Sequence, residues 1–144
     1  MSWLLGILQK EIKFRNNFEL KEECKKFKSG NFSFYIGGNQ NTYFFTHQEN
    51  SLAAVTGVVL KNNENSVKIL NFDKSNPSIS FDKNISGHFV SVNYNDGNLV
   101  IQNDTFGLRD LYYFENSEVF VFSTRIDFLT KYLKNVQIDF ENLS

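Results

Sequence analysis

Asn103-Asp104-Thr105-Phe106-Gly107-Leu108-Arg109-Asp110-Leu111-Tyr112-Tyr113 is the stretch on which the fold turns. Its order is uncommon: an acid, a glycine, a base, then Leu-Tyr-Tyr at the start of a strand. Gly107 permits a positive-φ turn where a strand ends. Asp104 can accept backbone N–H groups within that turn, and Leu111-Tyr112-Tyr113 restart an extended segment. On residue chemistry alone, this is a packed strand–turn–strand.

Reading outward, residues 89–94 and 98–102 alternate around Asn95-Asp96-Gly97, a strong hairpin signal. Residues 111–114 and 119–122, joined by Glu115-Asn116-Ser117-Glu118, make a second hairpin. Residues 124–134 carry Ile126, Leu129, Tyr132 and Leu133 at helical spacing, with Ser123 or Thr124 as the cap. Residues 136–140 form a last extended piece. Towards the N-terminus, residues 2–8 read as a buried strand. Residues 20–27 read as a helix closed by Ser29-Gly30, with Lys21-Glu22-Glu23-Cys24-Lys25-Lys26 as its solvated face and Cys24 as a half-buried packing residue. The runs 32–36, 42–46, 52–60 and 66–72 read as strands, punctuated by Gly37-Gly38-Asn39, by residues 48–50 and by residues 62–65. Phe32, Phe34, Phe44 and Phe45 belong to their core. Antiparallel sheet with a few helices is an α+β pattern.

Composition bounds the possibilities. A chain of 144 residues suffices for one domain, and 41% hydrophobic against 22% charged residues excludes a disordered chain. The 16 Phe and 6 Tyr belong in strands, and a single Pro leaves the turns to Asn, Asp, Gly and Ser. A net charge of -1 offers no basic excess for nucleic acid or an anionic membrane. The lone Cys24 cannot form an internal disulfide or build a zinc site, which fits a reducing compartment. The apolar run Trp3-Leu4-Leu5-Gly6-Ile7-Leu8 is too short to span a membrane and lacks signal-peptide features, so the expected location is cytoplasmic. His47 and His88 are the only histidines, and with one Cys and no tight His/Asp/Glu spacing they point to no metal site and read as structural or surface residues.

Residues 85–133 resemble the class II glutamine amidotransferase domain, an N-terminal-nucleophile hydrolase, as found at the N-terminus of asparagine synthetases. That family has a Gly-x-Phe strand, a hairpin, then Arg-Asp-x-x-Gly-x-x-Pro-Leu-Tyr-Tyr, then a strand ending in Ser-Glu and a helix. The counterparts here are Gly87-His88-Phe89, the Asp-Gly hairpin, the 103–113 run, and Phe122-Ser123-Thr124. Asn103 stands for the Arg, Asp110 for the Pro and Thr124 for the Glu. The resemblance implies an αββα sandwich of two antiparallel sheets, with flanking helices reduced to fit a shorter chain. It also implies one glutaminase-like domain over residues 1–144, the N-terminal part of a larger asparagine-synthetase-like protein. Asp104, Gly107, Arg109, Tyr112 and Tyr113 are then structural signature residues.

The family hydrolyses glutamine with an N-terminal Cys in Met-Cys-Gly-Ile-x-Gly-Ile, its own α-amine acting as base. This chain begins Met1-Ser2-Trp3-Leu4-Leu5-Gly6-Ile7, so Ser2 holds the nucleophile position. A hydroxyl is far less ionised than a thiol and depends on activation. The family's Asn-Gly oxyanion pair corresponds to Thr56-Gly57, which retains only Gly57. The substrate-holding motifs Arg-Gly-Pro-Asp and Asp-Thr-Glu have no counterpart. Loss of nucleophile, oxyanion donor and substrate clamps together points to lost glutaminase activity, as in β-lactam synthetase and lasso-peptide lactam synthetases.

Three functions therefore compete. In the first, the domain is non-catalytic and supports or docks an ATP-dependent amide-forming ligase domain or partner protein, with a peptide as a further candidate partner. ATP and Mg would bind only in that ligase domain, since the Ser-Gly-Gly-x-Asp-Ser phosphate loop is absent here and no cofactor is expected in this chain. In the second, Ser2 is the nucleophile of a working amidohydrolase after loss of Met1. In the third, the chain is a stand-alone interaction or peptide-recognition module that uses a strand edge.

Overall fold

The computed structural model describes residues 1–10, 18–75 and 78–133. They form ten strands and one α-helix: β1 Trp3–Gln9, β2 Cys24–Ser29, β3 Phe32–Gly37, β4 Tyr43–Gln48, β5 Ser51–Asn63, β6 Ser66–Ile69, β7 Ile85–Asn95, β8 Asn98–Asn103, β9 Tyr112–Glu115, β10 Val119–Ser123 and α1 Ile126–Tyr132. A single 3-10 turn, Gln40–Thr42, precedes β4. The strands make two antiparallel sheets. The first runs β2-β3-β1-β10-β9 and the second β4-β5-β7-β8, with β6 paired to the far end of β5.

The sheets face each other across an aromatic core. Leu4, Phe32, Phe34, Ile36 and Phe122 of the first sheet meet Leu52, Ala54, Val90, Val92 and Tyr94 of the second. Phe32 stacks on Tyr94 with centroids 4.5 Å apart. The opposite faces are covered as well. Trp3, Leu5, Ile7, Val119 and Val121 pack under Phe128 and Leu129 of α1. Ala53, Val55, Val59 and Phe89 pack under Leu70, Phe72, Ile79 and Phe81 of the connection between β6 and β7. β1 is thus buried on both faces, which explains why its sequence is a continuous apolar run rather than an alternation. Gly6 has a packing role here. It pairs with Phe122, and a Cβ at Gly6 would overlap that ring.

The two hairpins flanking the 103–113 run form as the sequence predicts. Asp96 (φ 45°) and Gly97 (φ 91°) make the two-residue turn between β7 and β8. The helix expected over residues 20–27 does not form. Residues 24–29 are β2, an edge strand paired with β3 from Cys24–Gly37 to Ser29–Phe32. Of its side chains only Phe27 is fully buried, so Lys25, Lys26 and Lys28 guard a sheet edge, while Glu22 and Glu23 of the charged run precede the strand. Cys24 is half-buried at the start of that strand.

The helix expected over residues 124–134 is shorter, and its cap differs. Arg125 is the N-cap residue and makes no side-chain cap bond. Ser123 and Thr124 bind β1 instead. Ser123 Oγ donates to the Leu4 carbonyl at 2.7 Å and accepts from the Arg125 N–H at 3.0 Å, while Thr124 Oγ1 accepts from the Leu4 N–H at 3.0 Å. The extended piece expected at residues 136–140 lies outside the described residues. α1 is the one α-helix among the described residues, and the outer face of the second sheet is covered by irregular chain rather than helix. No helix among the described residues is long and apolar enough to cross a membrane.

Candidate functional site

β1 and the 103–113 run meet at one corner of the sandwich. Ser2, just before β1, is buried, whereas Met1 is 92% exposed. The Ser2 hydroxyl donates to the Thr42 carbonyl at 2.7 Å. The Ser2 carbonyl accepts from Arg109 Nη2, which also lies 3.4 Å from Ser2 Oγ. Gly38 (φ +93°) allows the N-terminus to lie this close. A Cβ there would overlap the Met1 carbonyl and crowd the Ser2 Cα.

Asp104 brings Arg109 to this corner. Its buried carboxylate accepts the N–H groups of Leu108 (2.9 Å), Arg109 (3.1 Å) and Phe89 (3.3 Å). Its own carbonyl accepts the Gly107 N–H at 2.9 Å, closing the turn in which Gly107 adopts φ +60°. Burial pushes the Asp104 carboxyl up, but the N–H groups of Leu108, Arg109, Phe89 and Phe106 outweigh it and hold the group below the usual carboxylate range. His88 Nε2 lies 2.7 Å from the Leu108 carbonyl. A carbonyl only accepts, so Nε2 carries the proton and ties the loop to β7.

Arg109 is 6% exposed, its Nε has no partner, and no carboxylate among the described residues pairs with its guanidinium. Burial lowers its pKa, yet a guanidinium stays charged in a protein. A cation therefore stands against Ser2 without a counter-charge from those residues.

Gly57 lies within the β5–β7 ladder, opposite Phe89, at φ +97°. The preceding Thr56 is buried, its Oγ1 has no partner, and it pairs with Tyr43, the neighbour of Thr42. Thr56-Gly57 thus approaches the Ser2 corner through Thr42-Tyr43, while Ser2 and Arg109 touch directly. Tyr112 and Tyr113 sit on the edge strand β9, opposite Ser123 and Phe122. Tyr112 packs against the outer cluster of the first sheet and Tyr113 is exposed. Sequence reasoning missed Thr42 and assigned Gly38 only a turn; the doubled glycine was the available signal.

Beside this corner a cleft of about 440 Å³ is lined by Trp3, Glu23, Cys24, Lys25, Gly38 and Tyr43, among others. Burial pushes the Cys24 thiol up, so it is a protonated, weak nucleophile at neutral pH. Lys25 Nζ stands 5.7 Å from the Tyr43 ring centroid. Glu22 is engaged by Arg125 at 3.0 Å. No group of three or more His, Cys, Asp or Glu that could hold a metal ion occurs among the described residues.

A hydroxyl nucleophile needs a base to take its proton. The partners of Ser2 Oγ are a carbonyl acceptor and a guanidinium donor, and neither is a general base at neutral pH. With Met1 attached, the corner is built to hold the N-terminus, not to activate it. No protein-family model matches the chain, and no curated protein or solved structure matches it either.

Proposed function

We propose that this chain is a glutaminase-like domain, similar to the class II glutamine amidotransferase domain of asparagine synthetases, that has lost glutamine hydrolysis. Its role is to support or dock an ATP-dependent amide-forming ligase domain. Its two facing sheets would be an N-terminal-nucleophile-hydrolase-like sandwich with the flanking helices much reduced. The observation that carries this reading is the state of Ser2. The residue in the nucleophile position is buried, donates its hydroxyl hydrogen bond to the Thr42 carbonyl, and has the Arg109 guanidinium where a base would be needed. The test is complex formation. The coding sequence that follows Ser144, or lies beside it, is read for a Ser-Gly-Gly-x-Asp-Ser loop, and the ligase domain carrying it is co-expressed with this chain. A stoichiometric complex supports the docking role. Absence of any such loop, or of any complex, contradicts it.

A second reading, Ser2 as the nucleophile of an active amidohydrolase, is favoured by the same guanidinium. Removal of the exposed Met1 would place the Ser2 α-amine beside the buried Arg109. A like charge nearby lowers an amine's pKa and makes it a free base near neutral pH. Mass spectrometry of the N-terminus discriminates between the two, because retained Met1 ends the second reading.

A further inference from the structure

β6 is a short strand that pairs with β5 alone, so its outer edge carries no strand among the described residues. All four of its residues are exposed. Val67 and Ile69 point to one face and are 62% and 67% exposed. Ile69 pairs with Leu60, and Val58, two residues back along β5 on the same face, is exposed as well. The opposite face carries Lys68, cross-strand to Lys61. Lys61 has Asp82 3.7 Å away, whereas no carboxylate among the described residues pairs with Lys68. The edge thus offers free backbone hydrogen-bonding groups, an apolar stripe on one side and, on the other, Lys68 without a carboxylate partner among the described residues.

A lysine on an edge strand normally guards it against pairing. Flanked by two exposed β-branched residues, Lys68 selects the partner instead. A second copy of this chain fits poorly. Antiparallel self-pairing that sets Val67 against Ile69 also sets Lys68 opposite Lys68, and directly opposed like charges are unfavourable. The complementary strand has apolar side chains at alternate positions with a carboxylate between them.

We propose that the β6 edge is a docking site for an extended apolar–acidic–apolar segment of another protein, added to the second sheet as a further strand. The site uses strand chemistry only, so it stands whether or not the Ser2 corner descends from a glutaminase. The test titrates a labelled probe peptide, acetyl-Thr-Val-Glu-Val-Thr-amide, against the full chain by fluorescence anisotropy and amide NMR. Saturable binding is expected, with shifts concentrated on Ser66, Val67, Lys68 and Ile69. Lys68→Glu, an exposed edge substitution, should weaken that probe by about tenfold and favour acetyl-Thr-Val-Lys-Val-Thr-amide by a similar factor. The proposal is overturned if the wild-type chain binds both probes equally or neither, or if the shifts fall away from β6. It is also overturned if the chain alone forms a dimer that Ile69→Thr disperses.

Discussion

Asp104 and Arg109 are the two buried charges of the 104–109 turn, and they do different work. Asp104 accepts three backbone N–H groups, those of Phe89 and Arg109 buried and that of Leu108 partly buried, so Asp104→Ala leaves two buried donors without that acceptor and should cost about 2 kcal/mol or more in urea unfolding. Its depressed pKa also fixes the sign of a pH effect. The unfolded chain takes up the proton first, so this stabilisation is complete above the ordinary value of 3.8 and is lost as pH falls through the lower folded value. Subtracting the acid profile of Asp104→Asn from that of the wild type should isolate this loss below pH 3.8. Equal slopes there would contradict the assignment. Arg109 has no such match among the described residues. Arg109→Met removes an uncompensated buried charge along with its bond to Ser2, and these effects offset, so stability should change by no more than about 1 kcal/mol. The Asp104 and Gly107 roles were legible in sequence because turn chemistry is local. The contact of Arg109 with Ser2 joins residues 107 apart and was not.

At the scale of elements, the β5–β7 ladder depends on a reciprocal pair of glycines. A Cβ at Gly57 (φ +97°) would overlap the His88 carbonyl, and a Cβ at Gly87 (φ +135°) would overlap the Val58 carbonyl. Val58 and His88 are themselves partners in the ladder. Alanine at either glycine meets strained φ and backbone overlap together, and should destabilise the fold by about 2 kcal/mol or more. Gly30 (φ +55°) has open space around it, so Gly30→Ala should cost only about 1 kcal/mol. Thermal denaturation of the three variants checks the order; a Gly57→Ala variant as stable as Gly30→Ala would refute it. In sequence, Gly57 read as the remnant of an oxyanion loop, and its packing role emerges only once β5 and β7 are in register. β2 was misread for a related reason. A run of lysines has the same appearance on a solvated helix and on a guarded edge, and pairing with β3 overrides local propensity. The hairpins around Asp96-Gly97 and residues 115–118 were legible because short turns announce themselves.

The described residues form two antiparallel sheets sharing an aromatic core, with outer faces closed by α1 on one side and by Leu70, Phe72, Ile79 and Phe81 on the other. Phe122 links the levels. It fills the space left by Gly6 and stands opposite Tyr113 of the 103–113 run. Phe122→Ala should cost about 3–5 kcal/mol, read as a lower urea midpoint, because a close-packed core cannot collapse onto a lost ring. The sheets were visible in the periodicity of the chain, but the packing of Leu70, Phe72, Ile79 and Phe81 over the second sheet was not, since irregular chain has no period. The functional account rests on the corner where Ser2, Thr42 and Arg109 meet. Ammonia release from glutamine by the purified chain, followed with its N-terminus defined by mass spectrometry, tests it most directly. The predicted result is no release above that of the buffer, for the wild type and for Ser2→Ala alike. Saturable release by the wild type that Ser2→Ala abolishes would contradict it.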